Sequence, residues 1–349
     1  MESFDGCRRI ESVEQLEEML SRPTDYVVDM FKRIPGDVIV LGVGGKMGPT
    51  LARMARRAAD QADGATRRQI IGVSRFSSPA ERDKLERVGV KTITADLLDV
   101  DQLNSLPDIP NVVYMAGMKF GTTGQQARTW AMNSYLPGPV ALKYRRSRIA
   151  VFSTGNVYPL APVTSGGSRE IDDVEPIGEY AMSCVGRERV FEHFSRQFGT
   201  PMALIRLTYA VEARYGVLVD LATKVWKREP VDLSNGCFKC MWQGDANAMS
   251  LATLGLVASP PAVLNVVSPD LLKTRAMAEA LGRRMGRAVA FTGVEGPTAY
   301  FSDATLCTQH FGRPNVTVEQ MLDWVADWVA NGRENLGKPT HFEVRDGKF

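Results

Sequence analysis

The chain has 349 residues, 44% of them hydrophobic, and a formal net charge of +2. That length and apolar content allow a large core, arranged as one elaborated α/β domain or as two lobes. The Lys and Arg residues are interleaved with Asp and Glu, which gives no support for nucleic-acid binding, and no apolar run approaches the ~18–20 residues of a membrane span. The start, Met1-Glu2-Ser3-Phe4-Asp5, lacks the basic-then-apolar pattern of a leader, so a cytoplasmic location is expected. Five cysteines, an odd number, fit reduced thiols. Cys237 and Cys240 form one CxxC, but a zinc site needs four ligands and neither a second pair nor a nearby histidine supplies them. No metal is expected.

In chain order, Leu16, Leu20, Tyr26, Val28 and Phe31 predict two short helices on either side of Pro23, a packing extension over residues 1–36 that covers one edge of a sheet. The apolar run Val38 to Leu41, with Val43, predicts a buried parallel strand. It leads into glycines spaced GxxGxxG, at Gly42, Gly45 and Gly48, and then into Met47, Leu51, Met54, Ala55 and Ala58 at helical spacing. A strand, a glycine turn and a helix in this order form a phosphate-binding βα unit: the glycines let the backbone approach a pyrophosphate, whose charge sits at the helix N-terminus. The glycine turn alone is a weak signal; its flanks make it a dinucleotide site.

A second strand, Ile70 to Val73, ends in Ser74-Arg75. An acidic residue at this place accepts the 2′-hydroxyl of NAD, and an arginine accommodates the 2′-phosphate of NADP. No Asp or Glu occurs between Ile70 and Pro79, so Arg75 favours NADP over NAD. A third strand, Lys91 to Ala95, ends in Asp96-Leu97. The fourth, Asn111 to Ala116, ends in Ala116-Gly117-Met118-Lys119. A helical region from about Gly124 to Tyr144, interrupted by Pro137 and Pro139, precedes a fifth strand, Ile149 to Ser153, which delivers Thr154-Gly155-Asn156-Val157-Tyr158. A helix carrying Tyr180 then runs to about Phe198, and a sixth strand spans Ala203 to Leu207.

This order of parts resembles the extended short-chain dehydrogenase/reductase superfamily, the group of NAD-dependent epimerases and dehydratases, over roughly residues 37–330. Ala116-Gly117-Met118-Lys119 is particularly similar to the AGxK stretch of UDP-galactose 4-epimerases. The resemblance implies a doubly wound parallel-sheet Rossmann fold over 37–210, with a strand returning near 263–267. A smaller C-terminal substrate lobe would occupy most of 211–335 and a tail 336–349. It implies cofactor contacts from Gly42, Gly45, Lys46, Met47 and Gly48 at the turn. Further contacts would come from Ser74, Arg75, Asp96 and Leu97 at the adenosine, and from Ala116, Gly117, Lys119, Asn133 and Tyr180 toward the nicotinamide.

By the same resemblance Thr154 and Tyr180 form the catalytic pair: the threonine hydroxyl bonds a substrate oxygen and the tyrosine acts as general base. Asn156 and Tyr209 would face the substrate, a small sugar-like molecule. The family's Tyr-x-x-x-Lys pattern is broken, because Cys184 stands where the lysine lowers the tyrosine pKa. Lys119 is the preferred replacement cation. Arg187 ranks second, since about 10 Å of helix separates it from Tyr180. In the sixth-strand motif Tyr209 and Glu212 replace the family's asparagine and glycine, which weighs against a nucleotide-sugar substrate. Gly155-Asn156 after Thr154 weighs against dehydration. The resulting expectation is an oxidoreductase or epimerase acting on a secondary alcohol of a sugar, working as a homodimer through the segment around Gln125–Tyr144 and the Tyr180 helix. The alternative is an NAD(P)-binding sensor or scaffold that has lost turnover with its lysine.

Overall fold

The computed structural model describes residues 9–63, 68–119, 124–338 and 340–347. Seven parallel strands build the central sheet: β1 (Val38–Leu41), β2 (Ile70–Ser74), β3 (Lys91–Thr94), β4 (Asn111–Tyr114), β5 (Arg148–Thr154), β6 (Met202–Leu207) and β7 (Ala262–Val266). Their order is β7-β6-β5-β4-β1-β2-β3, so the chain works outward from β1 to β3 and returns across β1 to β4. The crevice at that reversal, outside the carboxyl ends of the strands, is where an open α/β sheet binds its ligand. β1 is apolar throughout because both of its faces are covered.

Alternation along β1 assigns its side chains to two layers. Val38 and Val40 pack with Val27 and Phe31 of α2 (Asp25–Arg33), which follows α1 (Val13–Leu20), and with Leu51 and Met54 of α3 (Gly48–Asp63). Ile39 and Leu41 face the other way. α4 (Pro79–Arg87) follows β2, and α5 (Val100–Ser105) follows β3. After β4 come α6 (Gln126–Trp130), a π-helical turn (Ala131–Tyr135), α7 (Pro137–Lys143) and, beyond β5, α8 (Gly178–Phe198). Leu103 of α5, Val140 of α7 and Phe191 of α8 meet Ile39 and Leu41 in the second layer. Pro137 and Pro139 do not interrupt a helix; α7 begins at Pro137, where a missing N–H costs nothing.

The remaining helices are α9 (Val217–Lys227), α10 (Gln243–Ala252), α11 (Thr274–Met285), α12 (Thr305–Phe311) and α13 (Val318–Ala330). α9, α11 and α13 form the smaller lobe around Leu218, Leu281, Leu322 and Trp324, and Leu16 and Leu20 of α1 complete that core. Trp324 and Trp328 are buried there, Trp324 edge-on to Trp242 at 5.1 Å.

Two features differ from expectation. The described part of the N-terminal extension packs elsewhere than on a sheet edge: α2 lies on a sheet face beside α3, while α1 bridges to the lobe. α10, placed by its sequence position in the lobe, returns to that same face, and every residue of it is buried. The amide nitrogens of Asn247 and Gln243 donate to Thr50 Oγ1 of α3, at 3.0 and 3.1 Å.

Candidate active site

The glycine turn has a steric reason at each end. Gly42 has φ +89°, and a Cβ on it would lie 2.7 Å from the Ala116 nitrogen. A Cβ on Gly48 would run into the Val43 carbonyl, so the third glycine lets α3 start against β1. Gly45 is different: a Cβ there would meet only the Gly42 carbonyl, at 3.4 Å, and would otherwise point at a cavity. No group of the chain requires that glycine. The space it leaves fits a dinucleotide backbone approaching the turn.

The cavity holds about 220 Å³ and is walled by Gly42, Gly45, Lys46, Met47 and Gly48 from the turn and by Met115 and Lys119 from the β4 loop. Thr154 at the end of β5, Tyr180 on α8, Tyr209 and Ala210 after β6, and Tyr215 and Gly216 before α9 close the other sides. Thr340 of the C-terminal tail completes the wall. Thus Lys46, Lys119, Thr154, Tyr180 and Tyr209, far apart in sequence, share one cavity.

Thr154 and Tyr180 share the cavity wall. The Thr154 hydroxyl and the Cys184 thiol both bear on the phenol, the first favouring and the second disfavouring its ionised form. The Thr154 hydroxyl also donates to Asn156 Oδ1 at 3.2 Å, and the Asn156 amide donates back to it at 3.2 Å, which caps the 3₁₀ turn Gly155–Val157. Asn156 therefore props Thr154 from behind the cavity wall. Burial pushes the Tyr180 phenol well above its ordinary pKa, and the charge of Arg187 pulls it back down. The thiol of Cys184 is buried and likewise raised, hence neutral.

Spacing along the chain ranked Lys119 above Arg187; the structure brings the charge of Arg187 to bear on Tyr180 as well. Side chains on a helix lean toward its N-terminus, so Arg187 reaches back along α8 beside Cys184. Its guanidinium donates to the Phe152 carbonyl and to Asn133 Oδ1, both at 2.7 Å. A Cβ on Gly117 would collide with it, so that glycine makes its room. Lys119 lies in the cavity wall, its ammonium disfavoured by burial.

Asn133 does not have a free amide for a cofactor. Its oxygen accepts from the Met118 N–H (2.8 Å) and Arg187, and its nitrogen donates to the Met118 carbonyl and Ser183 Oγ, both at 2.9 Å. With two acceptor and two donor positions used, it is a positioning residue that holds the β4 loop and Arg187. At the adenosine end Ser74 lies close under the turn, where a Cβ on Gly44 would sit 2.5 Å from its hydroxyl. Arg75 is exposed and 3.9 Å from Asp96. Leu97 is buried, its side chain in the core rather than at a ligand.

Sequence reasoning missed Tyr215 and Thr340. Neither lies in a motif, and only the fold of the lobe and tail brings them to the wall. Cys237 and Cys240 are buried and free, and no cluster of metal-binding side chains exists among the described residues.

A family model described as NAD dependent epimerase/dehydratase matches residues 38–216. Comparison by sequence with curated proteins finds no match. Among solved structures, UDP-glucuronic acid 4-epimerase from Bacillus cereus, in complex with NAD, is 15% identical with a TM-score of 0.69, over 85% of this chain and 100% of that one. UDP-glucose 4-epimerase from Thermotoga maritima, with UDP-glucose, is 17% identical with a TM-score of 0.68, over 85% and 99%. A dTDP-glucose 4,6-dehydratase from Streptomyces venezuelae, with NAD bound, is 18% identical with a TM-score of 0.70, over 84% and 97%. These identities establish the shared fold. The family model spans more than half of the chain, from the glycine turn through the Tyr180 helix, and the protein therefore belongs to the NAD-dependent epimerase/dehydratase family, the extended short-chain dehydrogenase/reductase type of enzyme.

Proposed function

We propose that the protein is an NAD(P)-dependent oxidoreductase or epimerase that oxidises a secondary alcohol of a sugar or sugar derivative. The observation that carries this reading is the placement of Thr154 and Tyr180 together in the wall of the cavity floored by the glycine turn. A bound nicotinamide supplies the hydride acceptor. The chain supplies the rest: Thr154 orients the substrate hydroxyl, Tyr180 accepts its proton, and Arg187, held by Asn133 and Phe152, favours the phenolate. Lys119 borders the same space as a second cation. Because burial outweighs Arg187, the phenolate is scarce at neutral pH and turnover should climb into the alkaline range. The test is a sugar panel followed at the reduced-nicotinamide band between pH 7 and 10; full activity in Tyr180→Phe would reject the assignment.

The loss of the lysine and the raised Tyr180 pKa favour one other reading, a nucleotide-binding sensor without turnover. Saturable cofactor binding with no substrate oxidised at any pH would select it. For the cofactor, Arg75 supports a preference for NADP over NAD. For assembly, the exposed Trp130, Tyr135, Leu142, Met182 and Phe198 on α6 to α8, with half-buried Val185, Val190 and Phe194, support a homodimer. The free, buried thiols Cys184, Cys237, Cys240 and Cys307 support a reducing compartment such as the cytoplasm.

A further inference from the structure

The glycine turn carries a cation of its own. Lys46 stands between Gly45 and the start of α3, where a pyrophosphate approaching the turn meets backbone N–H groups. Its half-buried side chain leaves the turn and crosses to the opposite wall of the cavity. There Nζ donates to the Ala210 carbonyl at 3.2 Å and lies 3.9 Å from the centre of the Tyr215 ring. One residue therefore gives its backbone to the turn and its ammonium to the segment that leads from β6 to α9.

The chain gives that ammonium no counter-charge. Among the described residues Lys46 makes no ion pair, and the carboxylate that bears on it, Glu212, is buried and held by Arg214 instead, through the backbone N–H at 2.9 Å and the guanidinium at 3.2 Å. The other charges facing Lys46 belong to Arg214, Lys119 and Lys338 and are positive, while burial keeps the Tyr215 phenol neutral. The cavity wall contains no Asp or Glu. An ammonium that has exchanged much of its water for one carbonyl and one ring face is costly until an anion joins it. A dinucleotide brings that anion to the turn: its pyrophosphate carries about two negative charges, and the N-terminus of a helix offsets only about half of one.

We propose that the Lys46 ammonium is the counter-ion of the cofactor's pyrophosphate, a side-chain cation added to the backbone N–H groups of the glycine turn. This rests on the reading of the cavity as the dinucleotide site and specifies what this chain adds to it. Gly45 leaves the approach to the turn open, and the next residue supplies the charge. The pairing has a consequence for protons. Burial, with the positive neighbours, draws the ligand-free Lys46 down to about 7, and an anion beside it favours the charged form again. A lysine that is mostly neutral at pH 8 before binding and charged afterwards takes a proton from solution. Cofactor affinity should therefore fall as pH rises above 7, by up to about tenfold per unit.

The experiment is calorimetric titration of the full, nucleotide-free chain with NAD+, NADP+ and ADP-ribose at pH 8, in Tris and in HEPES, whose different heats of ionisation reveal the protons exchanged. All three ligands carry the pyrophosphate, and those that bind should do so with uptake of about half a proton or more. Lys46→Met should weaken binding tenfold or more and abolish the uptake. Lys46→Arg, whose charge does not titrate in this range, should hold the ligands and take up no proton. The proposal is overturned if the unmodified protein binds without proton uptake, if Lys46→Met binds as tightly as the unmodified protein, or if either variant keeps the uptake. It is equally overturned if uptake accompanies the dinucleotides but not ADP-ribose, which would put the titrating group at the nicotinamide end. Each of these results leaves the dinucleotide site standing, because a ligand still binds; a chain that binds none of the three loses both readings.

Discussion

The two ends of the sheet's carboxyl edge use positive charge in opposite ways. At the adenosine end Arg75 is 59% exposed and lies 3.9 Å from a half-exposed Asp96, so water screens whatever it does. At the tyrosine end Arg187 and the Glu188–Arg206 pair are buried, and each charge is fixed by hydrogen bonds at 2.6–3.3 Å. In that low-dielectric setting a charge shifts a neighbouring pKa or fixes a strand end, and its removal leaves a partner unsatisfied. The same residue type is therefore screened by water at one end and fixed by hydrogen bonds at the other.

The largest expected effect breaks the buried pair. Arg206 binds Glu188 at 2.8 Å and Tyr158 at 2.7 Å, and Ser153, next to Thr154, donates to Glu188 at 2.6 Å. Arg206→Met strands the Glu188 carboxylate and should cost ~3–5 kcal/mol in denaturant unfolding; a loss below 1 kcal/mol would show that the pair is not a structural centre. Cys184→Lys comes next. Although it restores the family residue, it places a second cation in a fully buried site already reached by Arg187, and the longer side chain should cost ~1–3 kcal/mol by overpacking alone. Unchanged stability with higher activity would show that α8 has room for the lysine.

Arg187→Met removes the charge that pulls Tyr180 down. The alkaline limb of the pH–rate profile should move to higher pH, with about tenfold less turnover at pH 8 per unit moved. A profile unchanged by Arg187→Met but moved by Lys119→Met would transfer the role to Lys119.

Lys46→Met should stabilise the ligand-free protein, on the order of 1 kcal/mol after loss of the Ala210 contact. The sign follows from the titration: the folded state lowers Lys46 from 10.5 to about 7, so it disfavours the charged form. That penalty is full below pH 7 and fades as pH rises toward 10.5, so the gain in melting temperature should be largest near pH 6–7 and vanish near pH 10.5. A gain that grows with pH would contradict the burial of an ammonium.

The smallest effect belongs to the exposed end. Arg75→Asp should reverse a preference for NADP(H) over NAD(H) worth about 1 kcal/mol or less, given the exposure of Arg75. Calorimetry showing NAD(H) bound as tightly as NADP(H) by the unmodified protein would remove the preference altogether.

Local pattern determined the framework. The apolar run at Val38–Leu41, the GxxGxxG turn and the strand ends at Ser74, Asp96, Ala116 and Thr154 were legible because strand burial and close backbone approach are written in consecutive residues. The family resemblance paired Thr154 with Tyr180, and the fold puts both in one cavity wall. Tertiary structure alone decided the rest. Arg187 bears on Tyr180 because a long side chain leaning back along a helix covers a distance that axial spacing counts as lost. Asn133 became a fully bonded strut once the β4 loop and α8 closed on it from both sides. α10 joined the sheet face rather than the lobe, where Ala246, Ala248, Met249 and Leu251 pack in the core with β1 and α3. Thr340 reached the cavity only through Asp220, 120 positions earlier. Contacts of that separation leave no periodicity in the chain, since they depend on which surfaces the fold brings together and not on which residues are neighbours.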